Sequence, residues 1–271
     1  MPVVALLTDF GSQDHYVGAM KGAILTVCPE ATLVDLAHEI PAHDVTAGAL
    51  ALASAWRDFP AQSVFVAVVD PGVGSDRRAL ALEAGGYRFV GPDNGILSLV
   101  MAEAEGPQAL HRIANASLLR SAVSATFHAR DVFGPVAAHL ARGLPIAEVG
   151  PPIDDPVRLP QPALRELGPG EWEATVVHVD RFGNLITNLL RHDLERVLAA
   201  VGHDFRDVVV VVEGEILPLA RTYADVPEGE GCALVGSSGR LEVAVHRGNA
   251  ARLLGASAGA PVRVRAVGTV L

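Results

Sequence analysis

The sequence predicts an α/β protein in two parts, an N-terminal α/β domain with a largely parallel sheet and a small C-terminal antiparallel β-barrel domain. Three observations carry that prediction. Over the first half, short apolar runs alternate with helix-like stretches, the pattern of strand–helix–strand units. Residues 143–170, GLPIAEVGPPIDDPVRLPQPALRELGPG, are then dense in proline and glycine, which cannot continue regular structure. Beyond them come β-rich segments separated by turns, as in small barrels and sandwiches. We therefore divide the chain into a domain over 1–145, a linker over 146–170 and a second domain over 171–271.

Val3–Leu7 is an apolar strand, followed by a polar loop and a helix from Val17 to about Val27. Thr32–Leu36 reads as a strand, Val45–Trp56 as a helix and Ser63–Val69 as a buried strand. Ala79–Leu82 and Tyr87–Val90 are short strands, with the turn PDNG and a helix over Ile96–Ala104 behind them. Asp131–Arg142 is one more helix, closed by Gly143. In the second half ATVVHVD, VVVVVEGEI, CALVGSS, RLEVAVH and PVRVRAVGTVL read as β-structure, with short helices near Asp193–Val201 and Asn249–Leu254. Sites in largely parallel sheets gather past the C-terminal strand ends, where Asp9 and Asp70 both fall.

A chain of 271 residues, half of them apolar, has ample material for real cores. No apolar run approaches the 18 positions of a membrane helix. The start, MPVVALLTDFG, lacks the basic region and small-residue cleavage site of a signal peptide. A formal charge of −10 argues against a nucleic-acid surface. Cys28 and Cys232 stand far apart with no Cys-x-x-Cys pair, so a reducing cytoplasm is expected. No clustered metal ligands occur, and we expect neither a metal nor a cofactor.

Four clusters could carry chemistry. In LLTDFGSQDHY, Asp9 and Asp14 flank a glycine turn, and a carboxylate there can accept both hydroxyls of a ribose; alternatively Thr8, Asp9 and Ser12 cap the next helix. In VVDPGVGSDRR, Asp70, Arg77 and Arg78 surround a Pro-Gly turn that is either solvated or a rigid site; the Gly-Lys-Ser/Thr ending of a phosphate loop is missing. SATFHARDVFG places His128 before Arg130 and Asp131 at a helix start, as a structural histidine or a catalytic one. In HVDRFGNLITNL, the DRFGN stretch is a plain hairpin turn or a site in which Asp180 binds an ammonium, Phe182 stacks on a base and Asn184 reads its edge.

Taken in order, these blocks resemble the S-adenosylmethionine hydroxide adenosyltransferase family, the SAM hydrolases related to fluorinase and chlorinase. LLTDFGSQDHYVGAMKG, IPAHDVTAGA, VVDPGVGSDRR, FVGPDNGILS, TFHARDVFGPVAAHLA, VDRFGNLITNL, GSSGRLEVAV and GNAARLLG carry the resemblance over nearly the whole chain. It implies a homotrimer whose active sites lie where one subunit's first domain meets its neighbour's second. It implies hydrolysis of S-adenosyl-L-methionine to adenosine and L-methionine, with S-adenosylmethionine as substrate and not as cofactor.

By the same resemblance Asp9 matches the ribose ligand, and Asp70, Arg77 and His128 match the triad around the attacking water. Asp180 matches the ammonium ligand with Asp14 as helper, and Phe182 and Asn184 match the adenine side. Ser237 lies where the family meets the methionine carboxylate, and Ala250 where backbone meets adenine. Halogenating relatives carry tyrosine in place of Asp70, serine for Tyr16, tryptophan for His43 and arginine for Ser238. A carboxylate beside the nucleophile repels halide, which disfavours the alternative of an adenosyl halide synthase. A non-catalytic protein that binds S-adenosylmethionine or adenosine is the second alternative, and the intact triad opposes it.

The sulfonium is already a good leaving group, so the reaction needs a competent nucleophile and not an acid. Asp70 and His128 are the groups able to take the water's proton, while Arg77 stays protonated and can only hold and stabilise.

Overall fold

A computed structural model describes all residues except 107, 202–207 and 267–271. The chain forms two compact units, residues 1–159 and 160–271.

The first unit is built on a six-stranded mixed sheet with strand order β2-β1-β3-β5-β4-β6. Its strands are β1 (Val3–Thr8), β2 (Thr32–Ala37), β3 (Val64–Val68), β4 (Ala79–Ala84), β5 (Tyr87–Pro92) and β6 (Ala109–Arg112). The pairs β1–β2, β1–β3 and β3–β5 are parallel, and β4 runs antiparallel to β5 and β6. β4 and β5 form a hairpin because Gly85 and Gly86, at φ +59° and +82°, adopt the left-handed pair that a two-residue turn requires.

Alternation along the buried strands feeds two faces. Val4, Leu6, Val64, Val66, Val68 and Val90 pack with α1 (Tyr16–Val27) and α4 (Gly134–Ala141). The opposite face takes α2 (Val45–Ala55), where Gly48 lies so close to the sheet that a Cβ there would sit 3.0 Å from Val69. α3 (Ser98–Glu103) follows β5. α2 begins with Asp44, whose carboxylate accepts the Ala47 N–H at 2.9 Å. α1 has no side-chain cap, so the helix-capping alternative for Thr8, Asp9 and Ser12 does not apply. The helix expected from Asp131 begins as a π-helical turn over Ala129–Phe133 before continuing as α4.

Part of the Pro/Gly-rich stretch belongs to this unit. Ile153 N–H donates to Leu110 O, Val157 N–H to Asp93 Oδ1 and Leu159 N–H to Ser98 Oγ. These bonds tie residues 153–159 to the edge strand β6, to the residue after β5 and to the start of α3.

The second unit is an antiparallel sheet ordered β11-β10-β14-β8-β9-β13-β12. Its strands are β7 (Arg165–Gly168), β8 (Glu171–Val179), β9 (Leu185–Leu190), β10 (Val208–Val212), β11 (Glu215–Pro218), β12 (Gly231–Val235), β13 (Arg240–Val245) and β14 (Pro261–Ala266). β7 pairs with β8, and a bridge from Leu219 to Ala233 brings the ends of the sheet together into a nearly closed barrel. VVVVVEGEI turns out to be two strands, reversed at Glu213 and Gly214 with φ of +50° and +86°. The helices are α5 (Arg191–Val201) and α6 (Ala250–Leu254), the latter capped by Asn249, which accepts the Arg252 N–H. The last five residues of PVRVRAVGTVL lie outside the described residues.

Candidate active site

Parallel pairing of β1 and β3 sets Thr8 opposite Val68, so Asp9 and Asp70 leave neighbouring strands at their C-terminal ends. The loop after β3 then folds back on itself. Val73 N–H donates to Asp70 O, and Ser75 Oγ donates to Gly72 O at 2.7 Å. Gly74, at φ +81°, presses this loop on the segment that carries His128; a Cβ there would lie 2.6 Å from Ala125 O. Only glycine tolerates both that conformation and that approach.

The contact joins three side chains. Arg77 Nε donates to both oxygens of Asp70 at 3.0 and 3.1 Å, and its Nη2 donates to Asp70 Oδ2. The same Nη2 lies 2.8 Å from His128 Nδ1. The side chains of Arg77 and Asp70 are only 10% and 5% exposed, and the guanidinium also rests over the Phe133 ring. Arg78 points elsewhere, with its Nε on Asp93 and its Nη1 on Asp155. Neighbouring arginines thus diverge, and Arg77 is the one that meets Asp70.

Because guanidinium only donates, His128 Nδ1 must accept, which leaves the imidazole proton on Nε2. Burial and the adjacent Arg77 charge push the His128 pKa below the ordinary histidine value, against the pull of Asp70 and Asp131. The ring is therefore neutral at neutral pH and presents an N–H. Its segment is anchored by Asp131, which is fully buried and accepts from Arg130 Nε and Nη2 at 2.7 and 2.8 Å and from Ser124 N–H at 2.9 Å.

Asp9 has a side chain 9% exposed, and its Oδ2 accepts the His43 N–H at 2.9 Å. Asp14 lies exposed in the loop before α1.

In the second unit, Asp180 Oδ1 accepts the N–H groups of Phe182 and Asn184, and its Oδ2 accepts Asn184 Nδ2 at 2.9 Å. The hairpin alternative for DRFGN holds: β8 and β9 meet in a turn that Asp180 stiffens from within. Phe182 stands 74% exposed at its tip while Asn184 is buried. Gly183 O accepts the Ala251 N–H, which brings the turn to the start of α6 and the buried Ala250. Ser237 is exposed in the turn between β12 and β13, closed by Gly239 N–H on Gly236 O.

Under that turn lies a carboxylate that the sequence reading missed. Glu242 is buried, accepts the Tyr223 hydroxyl, and packs against the Cα of Gly236. Burial and the charge of Asp180 raise its pKa despite the Tyr223 bond. A glutamate in the otherwise apolar strand LEVAV is the signal that marks it.

Residues 4–150 match the SAM hydroxide adenosyltransferase N-terminal domain, and residues 174–263 match the C-terminal domain of the same name. The chain belongs to the SAM hydroxide adenosyltransferase family. An (R)-S-adenosyl-L-methionine hydrolase of Thermus thermophilus is 43% identical over 97% of this chain and 100% of its own length. A fluorinase of an Actinoplanes species is 30% identical, covering 90% of each chain. The solved structure of an uncharacterized conserved protein from Thermotoga maritima superimposes with a TM-score of 0.88 at 34% identity, over 97% of this chain and 99% of that one. In this chain the first family domain holds Asp9, Asp14, Asp70, Arg77 and His128. The second holds Asp180, Phe182, Asn184, Ser237 and Ala250.

Proposed function

We propose that this protein hydrolyses S-adenosyl-L-methionine to adenosine and L-methionine, by in-line attack of water on the ribose C5′. The observation that carries the reading is Arg77 bridging Asp70 and His128. Water held there meets the Nε2–H of His128 as donor. Among the described residues Asp70 Oδ1 receives one hydrogen bond, from Arg77 Nε, so it keeps a lone pair for the water's proton. Arg77 offsets the Asp70 charge and stabilises hydroxide character as the C–S bond breaks. Asp70 takes the proton, the carbon–oxygen bond forms, and methionine leaves with the sulfonium electron pair.

Asp9 holds the ribose diol through Oδ1, its Oδ2 being fixed by His43. Asp180, helped by Asp14, receives the ammonium, Ser237 the carboxylate, and Phe182, Asn184 and the Ala250 backbone the adenine. The name of the Thermus relative specifies the (R) form of the substrate, and we extend that preference to this chain. S-adenosylmethionine is consumed as substrate, and the reaction uses no cofactor. The proposal includes a homotrimer in which one subunit's first unit meets its neighbour's second, supported by the division of the binding residues between the two family domains. It includes a cytoplasmic setting, supported by two buried free thiols, Cys28 and Cys232.

The test is incubation of the purified protein with separate (R) and (S) sulfonium epimers, with and without chloride, followed by nucleoside chromatography. Adenosine and methionine in equal amounts, faster from (R) and independent of chloride, are expected. Chlorinated adenosine, or substrate bound and unconverted, would overturn the reading.

A further inference from the structure

We propose that His38 is a positioning residue for ribose recognition, acting on Asp9 through Thr8; this rests on the reading of Asp9 as the ribose ligand. Asp9 sits in the TDFGS loop, where Phe10 packs on Phe127 while hydrogen bonds tie the loop to the segment over residues 35–43. Gly11 N–H donates to His38 O at 2.8 Å, Ser12 Oγ to Glu39 Oε1 at 2.8 Å, and His43 N–H to Asp9 Oδ2. His43 holds its amide there at φ +67°, a conformation that costs a non-glycine residue and marks a constrained position.

The centre of this fastening is a chain of side chains from three elements. Lys21 on α1 donates to Asp35 Oδ2 at 2.7 Å, and Asp35 Oδ1 on β2 lies 3.0 Å from His38 Nε2. His38 Nδ1 lies 2.8 Å from Thr8 Oγ1 on β1, and that oxygen also accepts the Phe10 N–H at 3.3 Å. One tautomer satisfies every member. With the proton on Nε2, the ring donates to Asp35 and accepts the Thr8 hydroxyl, whose oxygen is filled by Phe10. With the proton on Nδ1, the lone pair of Nε2 would face a carboxylate oxygen at 3.0 Å, two acceptors in contact. Thr8 is fully buried, so its hydroxyl has no water to turn to.

The location gives the chain its purpose. Thr8 is the last residue of β1 paired to β3, and Asp9 is the next along. On the other side the register between β1 and β2 slips, Leu6 facing Asp35 while Leu7 faces Ala37. Such a bulge re-aims the residues after it, and here it delivers His38 to the strand end. The Asp9 carboxylate is thus set from both sides, its backbone through Thr8 and one oxygen through His43. Neither Lys21, Asp35 nor His38 needs to touch substrate.

The experiment separates the two bonds of His38. Asparagine places a carbonyl oxygen near the position of Nδ1, and glutamine places an amide nitrogen near that of Nε2. His38→Asn keeps the Thr8 link, and His38→Gln keeps only the Asp35 link. Dissociation constants for adenosine and 2′-deoxyadenosine are measured by calorimetry on the full-length protein. Wild type preferring adenosine establishes the Asp9 reading on its own; equal binding of the two nucleosides removes that reading and the proposal with it. Given the preference, His38→Gln should weaken adenosine about tenfold, the scale of one hydrogen bond. His38→Asn should weaken it less than about threefold, and 2′-deoxyadenosine, which keeps one of the two hydroxyls, should lose less than adenosine in His38→Gln. KM should follow the adenosine constant while kcat moves little. Equal losses for both nucleosides, or the same loss in both variants, would make His38 a general brace and overturn the proposal. Thr8→Ser against Thr8→Val repeats the comparison, and should the His38 variants fail to fold it decides alone: serine should retain the nucleoside preference and valine lose it.

Discussion

The two units build their candidate residues in opposite ways. In the first, charged side chains spend their hydrogen bonds on one another across long stretches of chain, Arg77 reaching Asp70 seven residues away and His128 fifty-one away. In the second, Asp180 spends all of its hydrogen bonds on groups within four residues, two of them backbone amides. The first arrangement makes a charge-compensated cluster whose geometry depends on loop packing, as catalysis of a proton transfer requires. The second makes a stiff platform that survives on local turns and offers exposed Phe182 to a flat partner.

The largest effect should come from breaking the long-range cluster. Asp70→Asn and His128→Ala are each expected to lower kcat by roughly 10²–10⁴, the usual worth of positioned proton transfer, with KM changed only a few-fold. Asp180→Ala should do the reverse, raising KM far more than it lowers kcat. Steady-state kinetics on the three variants decides this, and a wild-type kcat in either triad variant would remove that residue from the chemistry. The acid limb of kcat/KM sharpens the point. A proton on His128 Nδ1 would face the Arg77 N–H, donor against donor, so activity should fall as the ring charges. Burial and Arg77 hold that step below the ordinary histidine value, so the midpoint in the free enzyme should lie under about 6.5.

A pair of glycines tests the same contrast one level down. Gly74→Ala forces a Cβ to 2.6 Å from Ala125 O at φ +81°, and Gly183→Ala forces one to 2.1 Å from the Asn249 side chain at φ +86°. Each should cost about 2–3 kcal/mol in denaturant melts, from strain and displaced neighbours together. Their kinetic signatures should differ. Gly74→Ala separates the Asp70 loop from the His128 segment and should lower kcat, whereas Gly183→Ala disturbs the turn under Phe182 and should raise KM. Identical signatures would erase the distinction between a catalytic and a binding unit.

The same difference in range explains what could be read before the structure. DRFGN is legible because its hydrogen bonds close within the motif, and the strands of the first sheet are legible from runs such as SVFVAVV. The choice of Arg77 over Arg78 is not, because it depends on Asp155, which draws Arg78 away from a stretch that reads only as linker. β6 and β7 were missed: each is four residues long, with no alternation for a strand to show, and each is held by its neighbour. Glu242 stands out as a charge within an apolar strand, but that it is buried is a tertiary fact that the pattern alone does not decide.

The smallest effects concern two buried carboxylates, one in each unit, whose protonation is linked to stability with opposite sign. Burial raises the pKa of Asp131, but the hydrogen bonds of Arg130 and Ser124 and the charges of Arg130 and Arg120 outweigh it, and the net shift is downward. Its stabilisation is therefore present above the unfolded carboxylate value near 4 and is lost as pH falls through the lower folded value. Asp131→Asn should cost about 1–2 kcal/mol at pH 7, a modest figure because Arg130 and Arg120 are partly solvated, and the gap from wild type should close in acid. Glu242 is raised by burial and by Asp180, so the folded state prefers it protonated and loses stability as pH rises through the folded value. Glu242→Gln keeps an acceptor for Tyr223 and removes the charge, so it should be more stable than wild type at pH 8 and converge with it toward pH 4. Chemical denaturation of both variants from pH 2 to 8 should give gaps of opposite sign at pH 8, the Glu242 gap closing as pH falls toward 4 and the Asp131 gap closing only below that. A Glu242→Gln protein less stable than wild type at pH 8 would mean that the ionised carboxylate has a partner worth more than its burial costs, and the second unit would then hold a charged element as tightly set as the first.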